Sequence, residues 1–204
     1  MAFLIANLAG LAVAYLLGSI PTAYWAGKLL RGLDIREHGS KSVGATNALR
    51  VLGKWPALAV LLVDVLKGGA AVVFARWLCS WLFDVPFVAP PPALDRETWT
   101  PWAVSLAGLA ALLGHGRSIW LKFSGGKSVA TGLGVVLAIS WPVALGALAV
   151  FGIAMAIFRI VSLGSILAAL TAIVLVCSVE QPMPYRLLVV AGGLYAFGRT
   201  EIGG

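Results

Sequence analysis

The sequence predicts an all-α protein, a polytopic membrane helix bundle with about seven transmembrane helices. Three observations carry that expectation. Of its 204 residues, 60% are hydrophobic and 11% charged, and the mean hydropathy is +0.96, outside the range of soluble globular chains. The apolar residues fall in runs approaching the ~20 needed to cross a hydrocarbon core of roughly 30 Å. Lys and Arg collect in alternate gaps between those runs, as a multi-pass topology requires.

The first run extends from about Phe3 to Lys28, and Gly18-Ser19-Ile20-Pro21 inside it should kink the helix. The second covers about Trp55 to Phe83, and the third about Trp99 to Leu113. Val129 to Phe158 is too long for one helix and is divided by Ser140-Trp141-Pro142 into a fourth and a fifth, both short. A sixth spans about Leu163 to Ser178, and a seventh about Tyr185 to Phe197. The opening Met1-Ala2-Phe3-Leu4 has no basic n-region and no small-residue cleavage site follows, so the first run reads as a retained helix. Residues 1–204 form one integral membrane domain in this reading.

Orientation follows from the cations. The gap after the first run holds Lys28, Arg31, Arg36, Lys41, Arg50 and Lys54. The next holds Arg96 beside Asp84, Asp95 and Glu97, and the one after it returns to basic with Arg117, Lys122 and Lys127. With the first gap cytoplasmic, the N-terminus lies outside and every glycine-rich polar segment faces the cytoplasm. The net charge of +7 is in part attraction of such loops to anionic lipid. A nucleic-acid partner is not expected, because the cations are dispersed among glycines with no soluble domain to carry them. Cys79 and Cys177 lie in apolar spans and read as buried unpaired thiols, although a disulfide is geometrically open. No histidine or acid spacing suggests a metal site.

Three polar segments carry the chemistry. In the first, Gly39-Ser40-Lys41-Ser42-Val43-Gly44-Ala45-Thr46-Asn47, small residues let the backbone turn its N–H groups toward an anion while Ser40, Thr46 and Asn47 add side-chain donors. Val43 to Leu52 reads as a short interfacial helix whose N-terminus could meet a phosphate, with Arg50 one turn after Thr46 on the same face. A flexible loop with a capped helix is the plainer alternative. In the second, Asp64 and Lys67 share a helix face well inside an apolar span, where a lone charge costs about 2.5–3.5 kcal/mol even on the lenient insertion scale. They must pair or line a wet cavity, as a structural ion pair or as a site in which Lys67 meets substrate.

The third segment runs from Gly114 to Gly132. Gly125 and Gly126 permit close backbone approach, Lys127 supplies charge, and Ser128 is a capping residue type opening the next helix. A nucleotide-triphosphatase loop is excluded because the first glycine of that pattern is missing. His115 is a candidate general base or a helix-end cap. Arg159-Ile160-Val161-Ser162 adds a cation and a hydroxyl on the same side.

These segments, in this order and with these spans, resemble the bacterial acyl-phosphate-dependent glycerol-3-phosphate acyltransferases, integral membrane enzymes. The resemblance rests on Gly18-Ser19-Ile20-Pro21, Gly39-Ser40 through Gly44-Ala45-Thr46-Asn47 with Arg50 and Leu52-Gly53, Asp64 to Gly68, Gly114-His115, and Phe123 to Thr131. It implies acyl transfer from a fatty acyl phosphate to the 1-hydroxyl of glycerol 3-phosphate, giving lysophosphatidic acid and phosphate, with no cofactor. It further implies a multi-pass protein of the bacterial inner membrane, in contact with membrane lipid, with the soluble enzyme that makes acyl phosphate as a candidate partner. On this reading Ser40, Thr46, Asn47 and His115 are catalytic, and Gly44, Arg50, Lys67, Gly125, Gly126, Lys127 and Ser162 bind substrate.

The chain departs from the family pattern in four places. Ser42 stands where asparagine is usual, Ser124 where a basic residue is common, and Ser128 where a glycine usually follows the lysine. Leu194 to Glu201 runs to the end without the family's Arg-His pair and the asparagine beyond it. The histidine–aspartate dyad of the soluble glycerolipid acyltransferases is absent, since His38 and His115 are followed five positions on by Val43 and Trp120. A catalytically impaired relative, and a transporter of an organic phosphate or lipid, are the alternatives.

Overall fold

The structure is a computed structural model that describes residues 1–88 and 90–201. Those residues form α1 (Ala2–Ser19), α2 (Thr22–Arg31), α3 (Ala45–Val51), α4 (Lys54–Asp84), α5 (Arg96–Gly116), α6 (Val129–Ile139), α7 (Trp141–Phe158), α8 (Val161–Ser178) and α9 (Met183–Glu201), with 3₁₀ turns at Ile35–Glu37 and Ile119–Leu121. Six of the seven expected runs correspond to one helix each, and the first to two. Four of them (α1, α4, α7 and α8) are long and apolar enough to cross a membrane by length and composition. With 11 residues, α6 is roughly 16 Å long, about half a hydrocarbon core.

The first run is where expectation and structure part. It does not continue as a kinked helix to Lys28; α1 stops at Ser19 and α2 starts afresh at Thr22. Pro21 lacks an N–H and drives the residue before it out of the helical region, and Ile20 accordingly sits at φ −53, ψ 114. Conversely, α5 is longer than the third expected run, so Gly114, His115 and Gly116 form its last turn and are not loop.

The helices pack in two linked groups. In one, α1, α4 and α5 pack against one another and α6 lies on α4; in the other, α7 and α8 pair, α9 lies on α8, and α9 returns to α5. Glycines set the closest approaches, since a Cβ at Gly18 would strike the Ala111 carbonyl of α5 and one at Gly68 the Thr131 carbonyl of α6. These contacts draw the ends of α1, α5 and α6 together beside the middle of α4. Facing outward are Leu66 on α4, Ile157 on α7 and Val174 on α8, each more than 60% exposed, which suits lipid and would be an aggregation surface in water. Both cysteines are free thiols, but Cys177 is exposed on the outer surface of α8 and not buried as expected.

Candidate active site

The break at Ile20-Pro21 turns the Ile20 carbonyl out of the α1 ladder and sets it beside the charged face of α4, where it accepts from Thr22 N at 3.0 Å. Lys67 Nζ donates to Ile20 O at 2.8 Å and lies 2.7 Å from Asp64 Oδ1. The Thr22 hydroxyl, in the first turn of α2, donates to the same carboxylate oxygen at 3.1 Å. His115 Nδ1 on α5 stands 3.7 Å from it, with no hydrogen-bond partner of its own. Asp64 and Lys67 are 1% and 5% exposed, so their charges are compensated by each other and by this polar cluster, as burial in an apolar span demands. Lys67 therefore sits behind the site surface with its ammonium committed to Asp64 and Ile20.

The first glycine-rich segment is held by Asn47. Its Nδ2 donates to the carbonyls of Ile35, His38 and Ser42 at 3.0, 3.1 and 2.8 Å, and its Oδ1 accepts from Ser40 N at 2.9 Å. Asn47 is fully buried. Its amide hydrogens are all engaged by the loop, so Asn47 shapes the segment from within. Gly44 caps α3, and Gly44 O accepts from Asn47 N and Ala48 N. The N–H groups of Gly44, Ala45 and Thr46 donate to nothing among the described residues and so remain available to an anion. Ser40 is exposed, Thr46 half-buried, and Arg50 is exposed with no ion pair among the described residues. At the base of the loop the Arg36 guanidinium hydrogen-bonds both oxygens of Asp34 and holds that carboxyl well below the usual range, at about 2.

The second segment folds back onto the end of α5. Ser118 N donates to Ser124 O, closing a small ring around the Ile119–Leu121 turn, and Ser118 Oγ donates to Ser19 O at 2.6 Å, tying this ring to the end of α1. Gly126 N donates to His115 O at 3.1 Å. A Cβ at Gly126 would strike the His115 imidazole and one at Gly125 the backbone of His115 and Gly116, so only glycine fits at either position. Ser128 precedes α6 at φ 63, the left-handed region, which gives a physical reason for glycine there in the family pattern. Its hydroxyl donates to Leu112 O at 2.9 Å and does not cap α6 as expected. Lys127 is half-buried, makes no ion pair among the described residues, and stands next to the free first-turn amides of α6.

The two segments meet. Val43 of the first and His115, Ser118 and Leu121 of the second line one small cavity with Ser19, Ile20, Pro21 and Thr22, about 10 Å³ and so room for about one water molecule. Val43 and Leu121 also share a buried apolar cluster with Ile35, Ala48 and Leu52. Ser40, Gly44, Thr46, Asn47, His115, Gly125, Gly126 and Lys127 thus lie on segments gathered around that cavity. Ser162 lies elsewhere, half-buried at the start of α8, which packs on α7 and α9. Sequence reasoning missed the Ile20 carbonyl and the Thr22 hydroxyl, although Pro21 is the signal for the first. It also missed Arg199, whose Nη2 donates to the carbonyls of Gly116, Gly125 and Gly126.

Both the sequence and the fold are similar to those of known proteins. Residues 8–200 match the family model described as glycerol-3-phosphate acyltransferase. A Rhizobium johnstonii protein named glycerol-3-phosphate acyltransferase 2 is 70% identical over 98% of this chain and 91% of its own. One from Trichodesmium erythraeum, named glycerol-3-phosphate acyltransferase, is 47% identical over 97% and 86%. Among solved structures, the glycerol 3-phosphate form of PlsY (YgiH), an integral membrane glycerol 3-phosphate acyltransferase, superposes with a TM-score of 0.78 at 32% identity, covering 96% of this chain and 88% of that one. Its lysophosphatidic acid form gives 0.76 at 34%, covering 95% and 87%. The chain belongs to the glycerol-3-phosphate acyltransferase family of integral membrane proteins.

Proposed function

We propose that the protein transfers a fatty acyl group from acyl phosphate to the 1-hydroxyl of glycerol 3-phosphate, giving lysophosphatidic acid and inorganic phosphate, the first step of phospholipid synthesis. The observation that carries this reading is the meeting of two glycine-rich segments at one cavity, each offering free amides and a cation. Two phosphate-bearing substrates need two oxyanion-binding surfaces side by side, and relatives of the same family have been solved in glycerol 3-phosphate and lysophosphatidic acid forms. The bacterial relatives support a place in the bacterial inner membrane. The site then faces the cytoplasm, where a soluble enzyme making acyl phosphate would meet it.

In this mechanism Ser40 and the amides of Gly44, Ala45 and Thr46 hold the donor phosphate and stabilise the tetrahedral oxyanion, and each such donor is worth on the order of 3 kcal/mol when removed. Gly126 N is spent on His115 O, so Gly125 and Gly126 serve by close approach and Lys127 by its charge and amide. Arg50 and Lys127 hold the phosphate of glycerol 3-phosphate; Ser162, away from the cavity at the start of α8, would meet only a part of the ligand that extends beyond it. The 1-hydroxyl oxygen bonds to the acyl carbon, the bond from that carbon to the phosphate oxygen breaks, and phosphate departs. Acyl phosphate is an activated anhydride, so positioning supplies much of the rate. The hydroxyl proton goes to the departing phosphate or to His115. Asp64, Lys67 and Thr22 set the field behind the cavity.

The test is phosphate release from purified protein in detergent given acyl phosphate and glycerol 3-phosphate. Release that requires both substrates supports the reading, because a transporter does nothing without a compartment. Absence of turnover would favour the impaired relative. Replacing His115 by alanine decides the proton acceptor: a rate within tenfold of the parent leaves the phosphate in that role.

A further inference from the structure

Arg199 stands near the end of α9, far in sequence from every segment assigned to the site, yet its Nη2 reaches three carbonyls: Gly116 O at 2.8 Å, Gly125 O at 3.1 Å and Gly126 O at 3.4 Å. One turn earlier Tyr195 packs its phenol against Gly116, where a Cβ would strike it. The end of α9 is therefore seated on the junction between α5 and the second glycine segment. The structure assigns Arg199 a positioning role: its guanidinium fixes the peptide planes of Gly125 and Gly126, so that their carbonyls face α9 and the amide of Lys127 faces the opposite way. This inference rests on the acyl-transfer reading only for its kinetic consequence; the geometric part stands by itself.

The argument is one of peptide geometry. In a planar trans peptide the carbonyl of one residue and the N–H of the next point in opposite directions. With Gly125 O bound to Arg199, the N–H of Gly126 must point away from it, and it does, donating to His115 O at 3.1 Å. With Gly126 O turned to the same guanidinium, the N–H of Lys127 is likewise directed away from it and stays unpaired. Gly125 and Gly126 bring little conformational preference of their own, so without an external clamp these planes can rotate. Three carbonyl oxygens gathered around one point also create a negative potential beside a site built for anions. A cation at that point removes it; all three contacts are made by Nη2, whose direction is fixed by the rigid plane of the guanidinium. Lysine at the same position would supply the charge with a compact ammonium and hold the planes less firmly.

The experiment uses full-length protein purified in detergent, as the parent, Arg199→Ala and Arg199→Lys, with Arg96→Ala at the α4–α5 end as control. Two readouts are taken: steady-state kinetics with each substrate varied, and amide hydrogen exchange by segment. Arg199→Ala is expected to lower kcat/KM on the order of 100-fold, the scale of a misplaced site, with Arg199→Lys between it and the parent. Exchange should quicken in 117–131 while α7 and α8 keep parental protection. Added methylguanidinium should restore part of the alanine variant's rate and slow exchange in 117–131. Parental exchange in that segment, or an equal quickening throughout the bundle, overturns the assignment, as does a kcat/KM within threefold of the parent. If Arg199→Ala does not fold, the same exchange comparison on Arg199→Lys decides. An inactive parent would count against acyl transfer alone, since the exchange result reads the clamp without turnover.

Discussion

Replacing Lys67 by methionine tests whether the polar cluster inside the bundle is held by charge compensation. Lys67 Nζ and Asp64 Oδ1 are 2.7 Å apart with side chains 4% and 2% exposed. At an effective dielectric of about 20 their gross attraction is about 6 kcal/mol, but each ion costs several kcal/mol to desolvate, so the pair as a whole contributes little net. Removing one partner is different. Asp64 would keep the Thr22 hydroxyl at 3.1 Å and the His115 ring at 3.7 Å, neither carrying a fixed positive charge, and the expected loss is about 3–5 kcal/mol. Ile20 O would also lose its ammonium donor, adding about 1 kcal/mol. The double variant Asp64→Asn/Lys67→Met removes both charges and should recover most of that loss, to within about 2 kcal/mol of the parent. The assay is a double-mutant cycle of thermal unfolding midpoints in one detergent. A Lys67→Met cost below about 1 kcal/mol, or a double variant as unstable as the sum of the singles, would refute the reasoning.

Three further predictions follow the same lines. Ser128→Gly should leave stability within about 1 kcal/mol of the parent, because relief of the left-handed backbone at φ 63 offsets the lost bond to Leu112 O; Ser128→Val should cost about 2 kcal/mol or more, both read as shifts in unfolding midpoint. Asn47→Ala leaves the Ser42 carbonyl and the Ser40 amide without a partner, while Ile35 O and His38 O keep the backbone donors His38 N and Lys41 N, so turnover should fall at least about tenfold at a stability cost near 2 kcal/mol, with faster amide exchange in 35–44. The Asp34 carboxyl, lowered to about 2 by Arg36, has its pKa below the unfolded value. Its contribution is thus complete above about pH 5 and lost as pH falls toward 2. Exchange protection of 32–38, corrected for intrinsic rates, should be flat from pH 8 to 5 and drop below that, whereas Arg36→Gln, which returns the carboxyl toward its unfolded value, should lower protection at neutral pH and flatten the acid drop.

How much of this was legible depends on the kind of signal. The seven apolar runs and the pairing of Asp64 with Lys67 could be read because hydrocarbon leaves a buried charge few other options. The glycines at 125 and 126 could be read as close-approach positions, and the folded segment brings them against His115 and Gly116. What could not be read was direction. Asn47 resembles a ligand donor in sequence, and only the folded loop shows its amide consumed by Ile35, His38, Ser42 and Ser40. Ser128 looks like a cap, yet its hydroxyl turns back to Leu112 O. Pro21 announced a disturbance but not that the Ile20 carbonyl would meet a lysine 47 positions away. Arg199 drew no role from the sequence, because nothing local says which carbonyls a helix-end guanidinium will find.

The central claim is that two glycine segments form a single anion-binding pocket, and an experimental structure with glycerol 3-phosphate bound tests it most directly. The account predicts its phosphate within hydrogen-bond reach of donors from both the Ser40–Arg50 and the Gly125–Ala130 segments, with the 1-hydroxyl turned toward the cavity lined by His115 and Ser118. A phosphate held by one segment alone, or seated away from both, would contradict it.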